Sequence, residues 1–141
     1  MAPPIDIERP LPDVSERMRP FYDATRSHKL VVQRCDACSR TFFPAVDICS
    51  DCHSDALSWI ECCGKGEVFS YVIMHHVYHP AFAARTPYAV AEVKLDEGPR
   101  MRSNIVDIDA VDLRIGLRVE ATYECFGKDL WLPLFRPDPS R

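Results

Sequence analysis

Four cysteines carry the strongest chemical signal in the sequence. Two Cys-x-x-Cys pairs, Cys35 with Cys38 and Cys49 with Cys52, are separated by ten residues. Two residues between cysteines let one tight turn direct both sulfurs at a metal, and ten residues allow a hairpin that brings the second pair opposite the first. Because four thiolates around zinc leave no position for water or substrate, the pattern predicts a structural site with one zinc per chain. Its binding energy would largely be folding energy.

Two other chemistries could use the same sulfurs. Four thiolates can hold iron as well as zinc. A single Cys-x-x-Cys pair can be a redox dithiol, although that motif usually sits in a βαβ setting, and two mirrored pairs are better explained by one shared metal. Cys62, Cys63 and Cys125 lie outside the quartet. Adjacent cysteines are poorly placed to join one tetrahedral site, so all three are interpreted as ordinary thiols, and Cys62 and Cys63 receive no assigned role.

A histidine-rich segment extends from Met74 to Phe82. It holds three histidines within five residues, but the next acid downstream is Glu92, and a catalytic metal usually recruits a carboxylate or thiolate as well. We therefore expect this segment to contact a ligand or a partner, and not to bind a metal or carry out chemistry. The predicted contact residues are His75, His76, Tyr78, His79 and Phe82.

The sequence lacks the motifs of the common catalytic centres. It contains no paired carboxylates, no Ser/His/Asp order, no GxSxG and no glycine-rich phosphate loop. We accordingly predict no catalytic residue and no enzymatic activity for the chain alone.

Composition narrows the class of partner. The 141-residue chain carries a formal charge of −4 at pH 7. Nucleic-acid binders usually present a basic patch, so the acidic balance argues against nucleic acid. No stretch approaches the ~18–20 consecutive apolar residues of a transmembrane helix, and the N-terminal segment lacks the basic and apolar regions of a secretory signal. We expect a cytoplasmic protein with no membrane partner, a location where cysteines are usually metal ligands or reduced thiols.

The first 28 residues are predicted to form an arm followed by one or two helices. Residues 1–12 contain four prolines and are interpreted as an extended arm. The pattern then becomes helical, with Asp13 or Ser15 as the cap and Pro20 at the first position of a second helix. One face of that helix would carry Phe21, Ala24, Thr25 and His28.

The rest of the chain is predicted to be β-structure. Three β-prone runs flank the cysteine pairs in the order that a zinc ribbon needs: 30–33, 41–43 and 57–60. Five further runs favour a small barrel, with one helical turn at 109–113: 67–74, 88–95, 101–106, 119–126 and 130–135. The predicted fold class is mainly β, with an N-terminal helix or two, a small zinc ribbon and a C-terminal five-stranded OB-type barrel. The corresponding domains are 1–28, 29–62 and 63–141.

The order of several motifs resembles a known family. The motifs are Pro20-Phe21-Tyr22, 30–38, Phe43-Pro44, 49–52, 64–71, 87–91, 95–100, 112–119 and 134–137. The arrangement, over roughly residues 14–137, is similar to that of the rubredoxin-like zinc-ribbon plus OB-fold proteins, a former domain of unknown function linked to acyl-CoA metabolism. The cysteine motif is shared by many ribbons, whereas its combination with Gly-x-Gly-x-Val-x-Ser at 64–70 and Glu-Gly-Pro-Arg at 97–100 is far more specific.

The resemblance implies an accessory subunit. Members of that family usually accompany thiolase-superfamily enzymes, including acyl-CoA thiolases, hydroxymethylglutaryl-CoA synthases and retro-aldolases of steroid side-chain breakdown. They bridge subunits or complete a CoA or acyl channel without catalytic residues of their own. The chain is thus expected to bind a thiolase-like partner in a hetero-oligomer, to contact an acyl-CoA thioester through it, and to serve lipid, aromatic or steroid metabolism. The family's metal ligands are matched by Cys35, Cys38, Cys49 and Cys52.

The alternative function is a nucleic-acid-binding ribbon and OB module. Such a module would use aromatic side chains such as Phe69 and Tyr71 as stacking platforms for bases. The acidic balance opposes this reading, and the alternation of the two residues along one strand favours a core role for one or both.

Overall fold

The computed structural model describes residues 11–140, which fold as a short N-terminal helix followed by two β-structures. The strands are β1 (Leu30–Cys35), β2 (Thr41–Phe42), β3 (Leu57–Cys62), β4 (Lys65–Met74), β5 (Tyr88–Leu95), β6 (Arg100–Ile105), β7 (Arg118–Phe126) and β8 (Leu130–Pro137). The helical elements are α1 (Arg19–Arg26) and the 3-10 turns Glu16–Met18, Pro80–Arg85 and Ala110–Asp112. The predicted mainly β fold class is confirmed. Within residues 11–140, no helix has the length and apolar character needed to cross a membrane.

The N-terminal helical region begins at a predicted cap. The side chain of Ser15 accepts a hydrogen bond from the backbone N–H of Met18 at 3.3 Å. Pro20 lies in the first turn of α1, where its missing N–H leaves no hydrogen bond unmade. Thr25 is fully buried, and its hydroxyl donates to the carbonyl of Trp131 at 2.7 Å. This bond fastens α1 to the last strand. The predicted arm, residues 1–12, lies almost wholly outside the described residues.

The prediction that His28 belongs to the face of this helix was wrong. Helix α1 ends at Arg26, and His28 follows it in the left-handed region with φ = +57°. Its backbone N–H bonds back to the carbonyl of Thr25 at 2.9 Å, which closes the helix and turns the chain toward β1. The imidazole ring stacks on Tyr123, with 5.1 Å between ring centroids, and lies 4.7 Å from the ring of Trp131.

The ribbon is a three-stranded antiparallel sheet in the order β2-β1-β3. Its third strand runs two residues beyond the predicted run, so Cys62 pairs with Leu30. The central strand β1 serves two clusters at once. Leu30 and Val32 at its start belong to the main core, whereas Cys35 at its end belongs to a small cluster around the cysteine sulfurs.

The remaining five strands close into a barrel in the order β4-β5-β6-β8-β7. Strands β6 and β8 are parallel, with Ile105 opposite Phe135, and the other pairs are antiparallel. The 3-10 turn Ala110–Asp112 connects β6 to β7, at the helical turn expected from the sequence. A register shift between Val68 and Ser70 bends β4, which pairs with β5 along its length and with β7 only at its start. This connectivity is the OB-type barrel that the sequence predicts.

One hydrophobic core joins the helix, the ribbon and the barrel. It combines Phe21 of α1 and Val32 of β1 with Val68 and Phe135 of the barrel, and none of these side chains is more than 3% exposed. Since the inner face of the ribbon packs directly on the barrel, the two parts stabilise each other. Division of the chain at residues 28 and 62 into separate domains stays a prediction.

The turn between β5 and β6 braces the ribbon against the barrel. The carboxylate of Glu97 accepts a hydrogen bond from the backbone N–H of Cys63 at 3.0 Å, and its carbonyl accepts one from the hydroxyl of Thr41 at 3.0 Å. Its neighbour Asp96 accepts two bonds of 2.8 Å from Arg118, which lower the pKa of the Asp96 carboxyl. The Glu-Gly-Pro-Arg segment that is distinctive in the sequence therefore contains the turn that connects the ribbon sheet to the barrel through hydrogen bonds.

Gly66 is the position where the barrel has no space for a side chain. A Cβ atom there would lie 2.4 Å from the backbone carbonyl oxygen of Lys94, which cannot move without disturbing the ladder. We expect Gly66→Ala to lower the free energy of unfolding by about 3 kcal/mol in urea titrations. Gly116→Ala is the matched control, because a Cβ there meets nothing within 4 Å and only the φ of +87° opposes it, at about 1 kcal/mol. Equal losses in the two variants would contradict this steric account.

Candidate metal centre

The first cysteine pair lies on a tight turn at the end of β1. The backbone N–H of Cys35 donates to the carbonyl of Arg40 at 2.8 Å, and the N–H of Ser39 donates to the carbonyl of Cys35 at 2.8 Å. Ser39 is in the left-handed region, with φ = +67°. This reversal turns the chain around Cys38, so that the sulfurs of both cysteines face the same side.

The second pair repeats the same backbone pattern. The N–H of Cys49 donates to the carbonyl of Ser54 at 2.9 Å, and the N–H of His53 donates to the carbonyl of Cys49 at 3.0 Å. His53 has φ = +62°, matching Ser39 of the first turn. An oppositely charged pair, Arg40 and Asp51, links the two turns across the site. Two equivalent turns therefore face each other, as the mirrored spacing predicts.

The four sulfur atoms converge on one point. Sγ of Cys35 lies 3.5 Å from Sγ of Cys52, Sγ of Cys38 lies 3.6 Å from Sγ of Cys49, and all four lie within 4.8 Å of one another. A tetrahedral ion with bonds of ~2.3 Å to sulfur needs sulfurs separated by ~3.8 Å. The donor set and its spacing therefore fit a tetrahedral metal ion. Among residues 11–140, this quartet is the one group of three or more His, Cys, Asp or Glu side chains close enough to hold a metal.

Backbone groups favour the thiolate form that a metal requires. The N–H groups of Cys52 and Asp51 point at the sulfur of Cys49 and lower its pKa to about 7. The backbone N–H of Arg40 likewise lowers the pKa of Cys38, but burial and the neighbouring sulfurs outweigh it and raise that pKa to about 12. A cation between the sulfurs would offset this mutual repulsion. Cys35 and Cys49 are buried, whereas Cys38 and Cys52 are exposed. With four sulfurs as ligands, the ion would have no open coordination position. The arrangement suits a metal that holds structure and not one that activates water or substrate.

The three cysteines outside the quartet differ in solvent exposure. Cys62 is the last residue of β3 and is buried, and burial together with the nearby Glu97 raises its pKa to about 12. Cys63 is exposed, with its sulfur 3.8 Å from a carboxylate oxygen of Asp96. Cys125 is also exposed. One of the adjacent cysteines thus belongs to the core and the other to the surface.

The histidine-rich segment forms most of the connection between β4 and β5. The ring of Tyr78 is 70% exposed and meets the ring of His76 edge-on, with 4.6 Å between centroids. His79 caps the 3-10 turn Pro80–Arg85, because its Nδ1 accepts a hydrogen bond from the backbone N–H of Ala81 at 3.1 Å. His75 and His76 are exposed. Two of the three histidines are thus surface residues, and the third stabilises a turn.

Phe82 is the predicted contact residue that lies on a concave surface. It lines an open groove of about 760 Å³ at one end of the barrel, together with Tyr88, Ile105, Ile108 and Phe126. His75, His76, Tyr78 and His79 lie outside this groove. Sequence reasoning missed its other walls because they come from strand ends that only the barrel closure brings together. The sequence signal that could have indicated these walls is the apolar residue at one end of each strand: Tyr88 in β5, Ile105 in β6 and Phe126 in β7.

Arg85 and Glu124 form a polar clasp at the edge of this groove, which we call the barrel-end groove. The guanidinium of Arg85 binds both carboxylate oxygens of Glu124, one of them at 3.1 Å, and lies 5.7 Å from the ring centroid of Phe126. The clasp holds the 3-10 turn against β7. The wall formed by Phe82 and Phe126 is therefore fixed in place.

Comparison with known proteins identifies the family. Residues 23–58 match the family model of the ChsH2 rubredoxin-like zinc ribbon domain, and residues 59–124 match that of the ChsH2 C-terminal OB-fold domain. A scaffold protein with a DUF35 domain from Methanocaldococcus jannaschii is 35% identical over 101 residues, which cover 71% of each chain. The chain belongs to the DUF35 family of ChsH2-type proteins, which combine a rubredoxin-like zinc ribbon with an OB-fold domain. The resemblance drawn from the sequence motifs is confirmed.

Other relatives are named as parts of enzymes. A probable enoyl-CoA hydratase alpha subunit of Thermomonospora curvata is 37% identical over 92% of this chain, which spans 40% of that relative's length. An alpha subunit of 3-oxo-4,17-pregnadiene-20-carboxyl-CoA hydratase from Mycobacterium tuberculosis is 34% identical over 84% of this chain, which spans 37% of its length. The chain is thus homologous to a segment of these longer subunits.

Two solved structures share the fold. The Ltp2-ChsH2(DUF35) aldolase superimposes with a TM-score of 0.82 and 36% sequence identity, over 90% of this chain and 98% of the matched chain. A DUF35 protein of unknown function from Sulfolobus solfataricus superimposes with a TM-score of 0.63 over 89% of this chain and 87% of its own. At 15% identity the second likeness concerns the fold alone.

The quartet generates a direct test of metal content. We expect the purified protein to hold about one zinc per chain. Cys49→Ser should lose the metal and unfold the ribbon, because one missing thiolate removes much of the metal's folding energy. Elemental analysis and thermal melting measure both effects. Cys125→Ser is the control, since that exposed thiol lies outside the quartet. A Cys49→Ser protein with unchanged metal content and melting would contradict the metal site.

Proposed function

We propose that the protein is a non-catalytic accessory subunit that binds a thiolase-like acyl-CoA enzyme and helps to form its acyl-CoA site. The observation that carries the proposal is the closed cysteine quartet, which suits a structural metal with no position for substrate. A second observation concerns nucleophilic catalysis, which needs a base hydrogen-bonded to a hydroxyl or thiol. Among residues 11–140, no histidine ring makes such a hydrogen bond, and Nδ1 of His79 accepts instead from the backbone N–H of Ala81.

The names of the relatives support an assembly role. Family members are named as scaffold proteins, as hydratase alpha subunits and as part of an aldolase. Two of these names include a CoA thioester. A chain that is similar to parts of acyl-CoA enzymes, and that shows no activated nucleophile among residues 11–140, is well suited to complete a partner's site. A cytoplasmic location and a role in lipid, aromatic or steroid metabolism belong to the same proposal.

Zinc is the metal that we propose for the quartet. Four thiolates in a closed tetrahedral set are the usual ligands of structural zinc, and the matched family model describes a zinc ribbon. Zinc supplies no redox chemistry, in keeping with a structural site. The role of the four cysteines would be to hold the ion and thereby the ribbon.

The histidine-rich connection is the part of the barrel that we propose to face the partner. It joins the first two barrel strands, a loop that OB folds commonly use for ligands. Tyr78 presents a large exposed ring, and Phe82 lines the barrel-end groove. Aromatic side chains are frequent interface anchors. His75, His76 and His79 would add hydrogen-bonding edges around these rings.

The nucleic-acid alternative has less support. Tyr71 does not present a free stacking face, because its ring packs against the core and its hydroxyl donates to the carbonyl of Leu113 at 3.1 Å. Phe69 is 47% exposed, but the guanidinium of Arg100 lies over its ring, 4.5 Å from the centroid. The formal charge of −4 also works against phosphate binding.

The accessory role predicts an activity that depends on the partner. Alone, the chain should not turn over acyl-CoA thioesters, since no activated nucleophile is evident. The acyl-CoA enzyme that co-elutes with the tagged chain from its own host, identified by mass spectrometry, should gain activity or stability when the chain is added back. Equal turnover and equal half-life of that enzyme with and without the chain would remove the main content of the proposal.

The connection between β4 and β5 offers a second test. Tyr78→Ala with Phe82→Ala should weaken assembly and raise the partner's KM for its acyl-CoA by about tenfold, because two aromatic anchors are lost. Assembly is measured by co-elution and KM by steady-state kinetics. Ile115→Ala is the control, a 68% exposed side chain before β7 that does not line the barrel-end groove. Zinc content should stay constant in all variants. Wild-type assembly, KM and kcat in the double variant would show that the connection is a tolerant surface loop.

A further inference from the structure

A second groove lies between the ribbon and the barrel, and Arg102 lines both this groove and the barrel-end groove. Its volume is about 800 Å³. The ribbon contributes residues 40–44 and Val46, and the barrel contributes Glu92 and residues 98–100 and Arg102. We call it the ribbon–barrel groove. Because the Glu97 turn bonds to Thr41 on one wall and to Cys63 on the linker between the sheets, the two walls are held at a fixed separation.

Three arginines converge on this groove. Arg40 comes from the ribbon, and Arg100 and Arg102 come from β6. Met101, between the last two, is 2% exposed and points into the core. Alternation along the strand therefore places both guanidinium groups on the outer face. The chain as a whole has 17 basic and 21 acidic residues, whereas the groove is lined by three arginines and one acid.

Two of these arginines are held by aromatic rings. The guanidinium of Arg100 lies 4.5 Å from the centroid of Phe69, and that of Arg40 lies 5.6 Å from the centroid of Phe42. A guanidinium stacked on a ring keeps its edge free for hydrogen bonds and loses less entropy when it binds a carboxylate. Apolar ring surface and a planar cation are thus offered side by side.

The acids around the groove neutralise some of the arginines but not Arg100. Arg102 binds Glu92 at 3.0 Å, and Arg40 binds Asp51. Among residues 11–140, the structure records no carboxylate within ion-pair distance of Arg100. Its direct cross-strand neighbour is a like charge, Lys94. Lys94 also lies opposite Glu67 on β4, so a carboxylate of the chain offsets this like-charge pair. The guanidinium of Arg100 is then available to an anion from outside the chain.

We propose that the ribbon–barrel groove is a docking site for an acidic, aromatic-containing segment of the partner polypeptide. This inference rests on the proposed accessory function and assigns one contact surface to it. A carboxylate of the segment binds the edge of Arg100, a second carboxylate competes with Glu92 for Arg102, and an apolar side chain rests on the groove wall formed by Phe42 and Phe43. Fixed walls and preoriented arginines reduce the ordering cost of docking.

A defined peptide tests the groove without knowledge of the partner. The probe is an acetylated, amidated hexapeptide of sequence EEFEEL, titrated into the zinc-loaded full chain and followed by backbone amide NMR. We expect shifts confined to residues 40–46 and 98–102. Binding should weaken by about tenfold in Arg100→Gln/Arg102→Gln, and a rise from about 50 to about 500 mM NaCl should weaken it similarly. Arg114→Gln, an exposed arginine on the connection before β7, should change binding less than about twofold.

Several results would overturn the inference. Equal binding of the uncharged peptide QQFQQL would show that the arginines take no part. Shifts mapping elsewhere would place the peptide on another surface, and tighter binding of a dT oligonucleotide or of coenzyme A at this groove would assign it to a phosphate ligand. Metal content and melting temperature establish that the variants fold. If the double variant unfolds, Arg100→Gln alone provides the test, because Arg100 is exposed and is the arginine that the proposal assigns to the first carboxylate.

The docking site and the accessory function are tested by different outcomes. If Arg100→Gln/Arg102→Gln leaves the affinity for the co-eluting acyl-CoA enzyme unchanged, the groove is not the docking site and the accessory function stands. If the wild-type chain co-elutes with no acyl-CoA enzyme, the accessory function fails, and with it the assignment of the groove to that partner, whatever the peptide does.

Discussion

The structure depends on keeping four cysteine sulfurs within 4.8 Å of one another. Four thiolates at that separation repel each other, so a cation at their centre is what makes the arrangement favourable. The apolar cluster around them is small, with Phe42 buried and Val46 and Leu57 only partly so. The ribbon therefore lacks a core sufficient to hold its two turns together. A metal bound by the quartet would supply the stabilisation that this small hydrophobic cluster lacks.

Strand β1 carries this constraint to the rest of the molecule. Cys35 at its end belongs to the cysteine quartet, while Leu30 and Val32 at its start pack into the barrel core. Loss of the metal would release the end of β1 and expose the ribbon side of a core that the barrel also uses. The ribbon and barrel are thus coupled through one strand, and the Glu97 turn adds polar bonds across the same junction.

The parts predictable from sequence are those set by local pattern. Period-two runs located the strands, and the cysteine spacing located two turns whose equivalence the structure shows in backbone detail. Long-range contacts were out of reach. His28 lies beyond the end of the helix, and its ring stacks on Tyr123, nearly a hundred residues away along the chain. Nothing in residues 13–28 signals that contact. The histidine-rich segment is unusual in composition, but of its predicted contact residues only Phe82 lines the barrel-end groove. Composition cannot predict such a groove, because it arises where the ends of separate strands meet.

The same reasoning explains why an accessory chain would be built from a ribbon fused to a barrel. Binding a partner costs less when the contacting surfaces are already ordered. Here the ribbon sheet and the barrel sheet are fixed to each other by a shared core and by the Glu97 turn, and the bond from Thr25 to Trp131 fixes α1 to the barrel. In the proposed accessory role, surfaces on the ribbon and on the barrel would face a partner as one rigid body. A metal held by the quartet would then support this partner-facing surface by keeping the ribbon in place.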